Sequence, residues 1–321
     1  METIVYAARL KDHKLLKESS SGGIYIALAN HYIESGNAVV SSVYDYEKKE
    51  LSFKLMTSVE QCKNARGSKY FQSDSSNIYN VAFNWLEENQ EKKLIFFGTG
   101  CQAAGFIEFA KAKGISDRLV VVDIICHGGA SPKIWSDYAA SLEKKYSGEI
   151  TYITFKDKRN GWKTPTAYAV INGKEILIKD YVRLFYSRCI LRPSCHICPY
   201  ATVERDSDVT IGDFWGIDQV MPAFYSFDGT SLVLIHSQKG KNLFKEIMPV
   251  LDYKQSSVND CLQPNLVVPT PKNKKRDVFW IDYKRKGIDF IIKKYGSIDV
   301  CSRVKSKFHK VKSKLMKPFY K

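Results

Sequence analysis

Lys93-Leu-Ile-Phe-Phe-Gly-Thr-Gly-Cys-Gln102 carries an unbroken apolar run into a turn of small residues, after which Cys101 to Lys113 reads as a helix. Leu119 to Ile125 is a second such run, and Pro132 to Tyr146 a second helix. A strand wetted on one face alternates apolar and polar side chains, whereas one without alternation is covered on both faces. Two in succession, each leading into a helix, require a parallel or mixed sheet with helices on either side.

Upstream, Ile4 to Leu10 reads as a strand, Gly22 to Ser35 as a helix, Ala38 to Tyr46 and Leu51 to Met56 as paired strands, and Ile78 to Glu88 as a helix. After Gly148 the texture turns β-rich, with strands at Ile150 to Phe155, Ala167 to Ile171, Glu175 to Ile178, Asp208 to Ile211 and Ser231 to His236. Helices are expected at Tyr181 to Arg188 and Lys241 to Leu251. The expected fold is α/β: a mixed sheet flanked by helices, an inserted cysteine-rich loop and a C-terminal helical arm. The expected divisions are 1–148, 149–270 and 271–321.

Cys189, Cys195 and Cys198 form Cys-x5-Cys-x2-Cys, and Cys126 lies upstream in Ile-Cys-His-Gly. Thiolate quartets hold soft centres, either a structural zinc or an iron-sulfur cluster. The Cys198-Pro199 pair, and three clustered thiols with one remote, favour a cubane; zinc sites more often use two compact Cys-x2-Cys pairs. Zinc stays open, as does the reading of Cys126 as a small buried hydrophobe. Cys62, Cys101, Cys261 and Cys301 show no pairing logic. The first residues lack the charged start and apolar core of a signal peptide, so the expected compartment is the reducing cytosol.

The net charge of +15 is unevenly placed: residues 271–321 hold 17 Lys/Arg and 4 Asp, or +13, leaving +2 for the rest. That argues against a nucleic-acid partner for the body. Val300, Val304, Phe308, Val311, Leu315 and Phe319 make one helical stripe with lysines between them. Such a basic amphipathic helix suits peripheral contact with the inner face of a membrane, or docking on its own domain. No run is long enough to span a bilayer.

Ser19-Ser-Ser-Gly-Gly23 and Gly98-Thr-Gly-Cys-Gln102 each stand where a helix begins, so their backbone N–H groups could face a phosphate, or simply cap a helix. Gly67-Ser-Lys-Tyr70 adds a cation and a ring, suited to a pyrophosphate and a flat ring system.

The ordered motifs Ser-Ser-Gly-Gly (20–23), Gly-Ser-Lys-Tyr (67–70), Gly-Thr-Gly-Cys-Gln (98–102), Cys-His-Gly (126–128), Phe-Lys-Asp-Lys (155–158), Arg-Pro-Ser-Cys-His-Ile-Cys (192–198) and Ile-Gly-Asp-Phe-Trp-Gly (211–216) resemble the coenzyme F-420 hydrogenase/dehydrogenase beta-subunit family. The resemblance spans residues 18–270 and implies an iron-sulfur flavoprotein oxidoreductase with one FAD and one 4Fe-4S cluster. It departs from the family at Gly100, where proline is usual, and at Lys156, where arginine is usual. On this reading Cys126, Cys189, Cys195 and Cys198 ligate the cluster, with Cys101 as a rival fourth ligand. Ser21, Gly22, Gly23, Ser68, Lys69, Tyr70, Thr99 and Gln102 bind FAD. His127 is a proton donor or orients the cluster loop, Lys158 is a candidate catalytic cation, Asp213 a structural acceptor, and Trp215 a core residue.

The resemblance also points to polysaccharide biosynthesis, with a small-molecule or lipid-linked glycan substrate. A zinc-stabilised sugar-nucleotide-binding or transferase protein is one competing class, and an accessory electron-transfer subunit whose lysine-rich arm docks an acidic redox partner such as a ferredoxin is another.

Overall fold

The computed structural model describes residues 2–297. Its strands are β1 (Ile4–Leu10), β2 (Ala38–Asp45), β3 (Glu50–Met56), β4 (Leu94–Thr99), β5 (Leu119–Ile124), β6 (Ile150–Asp157), β7 (Thr166–Ile171), β8 (Lys174–Leu177), β9 (Val209–Asp213), β10 (Ser231–Ile235) and β11 (Leu251–Ser256). Eight of them form one sheet in the order β11-β1-β10-β9-β5-β4-β2-β3, while β6, β7 and β8 form a separate antiparallel sheet. β2, β4, β5 and β9 run parallel; β3, β10 and β11 pair antiparallel with their neighbours.

The apolar runs behave as their lack of alternation requires. Leu94 and Phe96 of β4 pack with helices Ile78–Glu88 and Gly100–Lys113, while Ile95 and Phe97 pack on the opposite face with helices Ile24–Glu34 and Gln238–Ile247. The mixed sheet flanked by helices is the expected fold. Because the central strands are parallel, their carboxyl ends share one edge. Thr99, Ile124 and Ile211 align across β4, β5 and β9, and Asp213, Ser231 and Ala8 continue the row nearby.

The expected division at 148 does not hold for the sheet. At that point the chain leaves it to build β6–β8 and helix Lys179–Tyr186, then returns through β9, which pairs directly with β5. Local texture registers the departure but not the long-range pairing. β11 likewise has no counterpart among the expected elements, where a helix extends to Leu251. The helix ends at Ile247, and the strand beyond lies at the sheet edge with only Leu251 buried, so its polar side chains show no alternation.

The first part of the expected arm is docked on the body. In helix Arg276–Ile291, Phe279 and Ile291 enter the cluster of Trp135, Tyr181 and Leu184, and the Tyr283 hydroxyl donates to Asp137 at 2.5 Å. The amphipathic stretch from Val300 to Phe319 lies outside the described residues. Among the described residues no helix is long and apolar enough to cross a membrane.

Two polar ties hold the middle of the sheet. Arg205 donates to Asp123 at 2.7 Å, both side chains being 2% exposed. Asp208 accepts from the Val121 N–H at 2.9 Å. Burial pushes the Asp123 carboxyl up, and Arg205 offsets this only in part. Removing one partner strands the other charge in the interior, so Arg205→Met should cost about 3–5 kcal/mol in urea unfolding. A loss below about 1 kcal/mol, typical of exposed pairs, would contradict this account.

His236 is held by Thr3 and Thr210 through its two ring nitrogens, at 3.1 and 2.8 Å. Burial, helped by Arg205, lowers its pKa from 6.5 to about 4. Between these values the unfolded chain takes up a proton that the folded one refuses, so stability falls as pH drops through that window. His236→Gln should flatten the dependence of the urea midpoint from pH 6.5 to 4, and an unchanged slope would refute the assignment.

Candidate functional site

A cleft of about 350 Å³ opens at the shared carboxyl edge of β4, β5 and β9. Three loops bring thiols to it. Cys101 starts the helix after β4 and Cys126 follows β5, while Cys195 and Cys198 lie in the turn from Pro193; all four line the cleft. The loop after β5 is zipped to the cysteine segment by backbone bonds: Ser131 N–H donates to Ile190 O, and Arg192 N–H to Gly129 O. The Gly129 N–H also donates to Cys195 Sγ at 3.3 Å.

On the other side, Gly100 lies against the end of the turn. A Cβ there would stand 2.8 Å from Tyr200 Cβ and 2.9 Å from the Arg205 guanidinium. Glycine at this position, where the family has proline, therefore permits close approach of the Cys101 turn to the Cys198-Pro-Tyr turn. In the sequence it shows only as a departure from the family's proline.

Cys189 is placed elsewhere. It is 1% exposed within the aromatic core around Leu184 and Phe185 and does not line the cleft. Its spacing put it with Cys195 and Cys198, but helix Lys179–Tyr186 ends just before it and turns it inward. Burial raises the Cys126 thiol to about 12, with Cys195, Cys101 and Cys198 as the neighbouring thiols that add to the effect. Cys189 is not among them. Among the described residues no three His, Cys, Asp or Glu side chains are grouped closely enough to hold a single metal ion.

The residues expected to hold a dinucleotide largely gather at the same cleft: Ser21, Gly23, Ser68, Lys69, Tyr70, Thr99 and Gln102 line it. Gly22 does not; a Cβ there would meet Ala8 O at 2.3 Å, so it lets the loop lie flat on β1 and β10. The Ser20 hydroxyl accepts from the Ser68 N–H at 2.7 Å, joining the first two motifs.

Several side chains are already engaged within the protein. Lys69 Nζ donates to the carbonyls of Ala65, Arg66 and Gly67, and burial lowers its pKa to about 7. Gln102 accepts from the N–H and hydroxyl of Thr99, capping the helix. Tyr70 stacks on Phe185 at 4.4 Å.

His127 lines the cleft beside Phe185 and Tyr186, with Nε2 buried and unpartnered; Gln263 Oε1, also at the cleft, is likewise unpartnered. Lys158 does not line it. Its ammonium donates to the carbonyls of Leu16, Ser21 and Asp228, which use all three of its donors, so it ties loops together rather than facing a substrate.

The sequence reading missed the cations Arg192 and Arg205 at the cleft, while Asp213, expected as a structural acceptor, accepts there from Lys156. Trp215, expected in the core, is 46% exposed and donates to Asp213 at 3.3 Å. With Tyr70 and Tyr186 it lines both the cleft and an adjoining annexe of about 300 Å³ that also touches Trp162. A side chain bound to a charged neighbour yet left exposed gives no sequence signal. The motif around Asp213 was the available hint.

The coenzyme F420 hydrogenase/dehydrogenase beta subunit has separate family profiles for its N-terminal and C-terminal parts, and this chain matches both, the first over residues 5–79 and the second over residues 91–258. No curated protein matches the sequence. Among solved structures, the fold is similar to a chain of the F420-reducing [NiFe] hydrogenase complex from Methanosarcina barkeri, studied by xenon derivatization. The TM-score is 0.52 at 16% identity, covering 91% of this chain and 89% of that one. With both segments matched in order across one shared sheet, the chain belongs to the coenzyme F420 hydrogenase/dehydrogenase beta-subunit family and is an oxidoreductase of that type.

Proposed function

We propose that this chain is an iron-sulfur flavoprotein in which a 4Fe-4S cluster and FAD share the cleft and exchange electrons with an organic acceptor. The observation that carries the reading is the convergence of four thiols, Cys101, Cys126, Cys195 and Cys198, on the cleft that the three glycine-containing turns also line. This replaces Cys189 with Cys101 in the ligand set. The donor chemistry suits iron and sulfide, and the Gly129 N–H already points at Cys195 Sγ. The unpartnered His127 Nε2 and Gln263 Oε1 suit a polar ligand in the same cleft.

When bound, the two groups supply one-electron exchange and delivery of a hydride equivalent. The protein's part is placement. Ser21, Gly23, Ser68 and Thr99 would border the diphosphate and ribityl regions, and Tyr70 would flank the ring system. Lys69 orders its own loop through the three carbonyls it caps. His127 would hold a proton at the cleft wall. Trp215 and Tyr186 would form the face on which the acceptor rests in the annexe, and a glycan intermediate is the acceptor that the sequence resemblance suggests.

Anaerobically purified wild type should hold about four iron per chain, as a cubane requires, together with flavin. Cys101→Ser, Cys195→Ser and Cys198→Ser should each lose most of the iron and the dithionite-bleachable absorption, whereas Cys189→Ser should keep both. Iron lost from Cys189→Ser and retained in Cys101→Ser would reverse the assignment; a colourless wild type loaded with zinc would end it.

A further inference from the structure

The turn that carries Cys195 and Cys198 also bears the most exposed large apolar side chain among the described residues. Ile197, between them, is 80% exposed, and Val267 and Val268 on the neighbouring loop are 57% and 52% exposed. The two segments are bound side by side. His196 Nδ1 donates to Thr270 O at 2.9 Å, Asn273 to Ser187 O at 2.7 Å, and Arg276 to Leu191 O at 3.0 Å. Arg192, Ser194, Pro269 and Thr270 from both segments border the cleft mouth.

Charge marks the same surface. Residues 187–198 and 262–277 contain Arg188, Arg192, Lys272, Lys274, Lys275 and Arg276, six cations, against the single anion Asp277. Lys272 pairs with Asp277 at 3.0 Å, while the other five cations have no carboxylate partner among the described residues, where lysines elsewhere commonly pair, as in Lys63–Glu60 and Lys111–Glu108. An apolar centre with a one-signed rim is how a transient protein interface combines contact with orientation.

We infer that this face docks a small acidic electron-transfer protein, over the cysteine turn. The apolar side chains supply the contact and the cations its orientation. One electron leaves the partner's reduced centre, which is oxidised, and enters the redox group of this chain, which is reduced; no bond changes. The electron's destination rests on the function proposed above, whereas the docking stands on the surface alone.

The full chain is titrated with an acidic plant-type 2Fe-2S ferredoxin as the probe, reading binding by calorimetry at low and high salt. Binding should weaken by about tenfold or more on raising the salt, and by a similar factor in Lys274→Glu/Lys275→Glu. Val268→Asp should weaken it too, with the melting curve and dithionite bleaching of all variants unchanged.

Variants that bind as wild type, binding indifferent to salt, or a wild-type dimer abolished by Val268→Asp would overturn the docking. Bleaching present with ferredoxin binding unaltered in the variants removes the docking and leaves the redox reading. Salt-sensitive binding weakened in the variants, in protein that dithionite does not bleach, does the reverse.

Discussion

Asp123 and Arg205 meet in the interior where water cannot screen them, and the cleft is built outward from that contact. Asp123 stands on β5, three residues before Cys126; Arg205 follows Cys198 in the connection to β9. A buried pair of this kind adds little net stability compared with well-packed apolar residues, but either charge alone is costly. Its effect is to exclude other arrangements. The turn after Cys198 has to lie over β5, and Gly100 then provides the space in which the Cys101 turn approaches it. Three loops from distant parts of the chain thus meet with their thiols facing one cleft.

The parts of this arrangement legible in the sequence are those governed by local physics. Leu94 to Phe97 and Leu119 to Val122 announce a sheet covered on both faces because each residue must satisfy a hydrophobic neighbour on its own side. The Ser-Ser-Gly-Gly and Gly-Thr-Gly-Cys-Gln turns are visible because small residues precede helices there, and most of their expected residues do reach the cleft. Cys195 and Cys198 are readable from spacing alone.

The rest depends on contacts that spacing does not encode. Cys189 lies close to Cys195 in sequence, but the helix before it turns it into the core; Cys101 is far away in sequence and lines the cleft because β4 and β5 are parallel neighbours. Lys158 sits in a motif with two other charges, yet three carbonyls satisfy it, and no one-dimensional pattern announces a backbone acceptor. Trp215 is exposed, its indole N–H bound to an Asp213 that Lys156 also pairs with, against the usual expectation for an indole. The return of β9, β10 and β11 to the first sheet is a matter of long-range pairing, which the change of texture near residue 148 conceals.

The two family segments are woven together in the sheet. β1, from the first segment, runs between β10 and β11, both from the second, with hydrogen-bonded partners on either side. Neither segment can close its sheet unaided: the second would leave two strand edges open where β1 belongs, and the first would have a strand with no neighbour. The pair is therefore a single unit of inheritance, whose halves cannot be exchanged between proteins as modular domains unless the complementary surface travels with them.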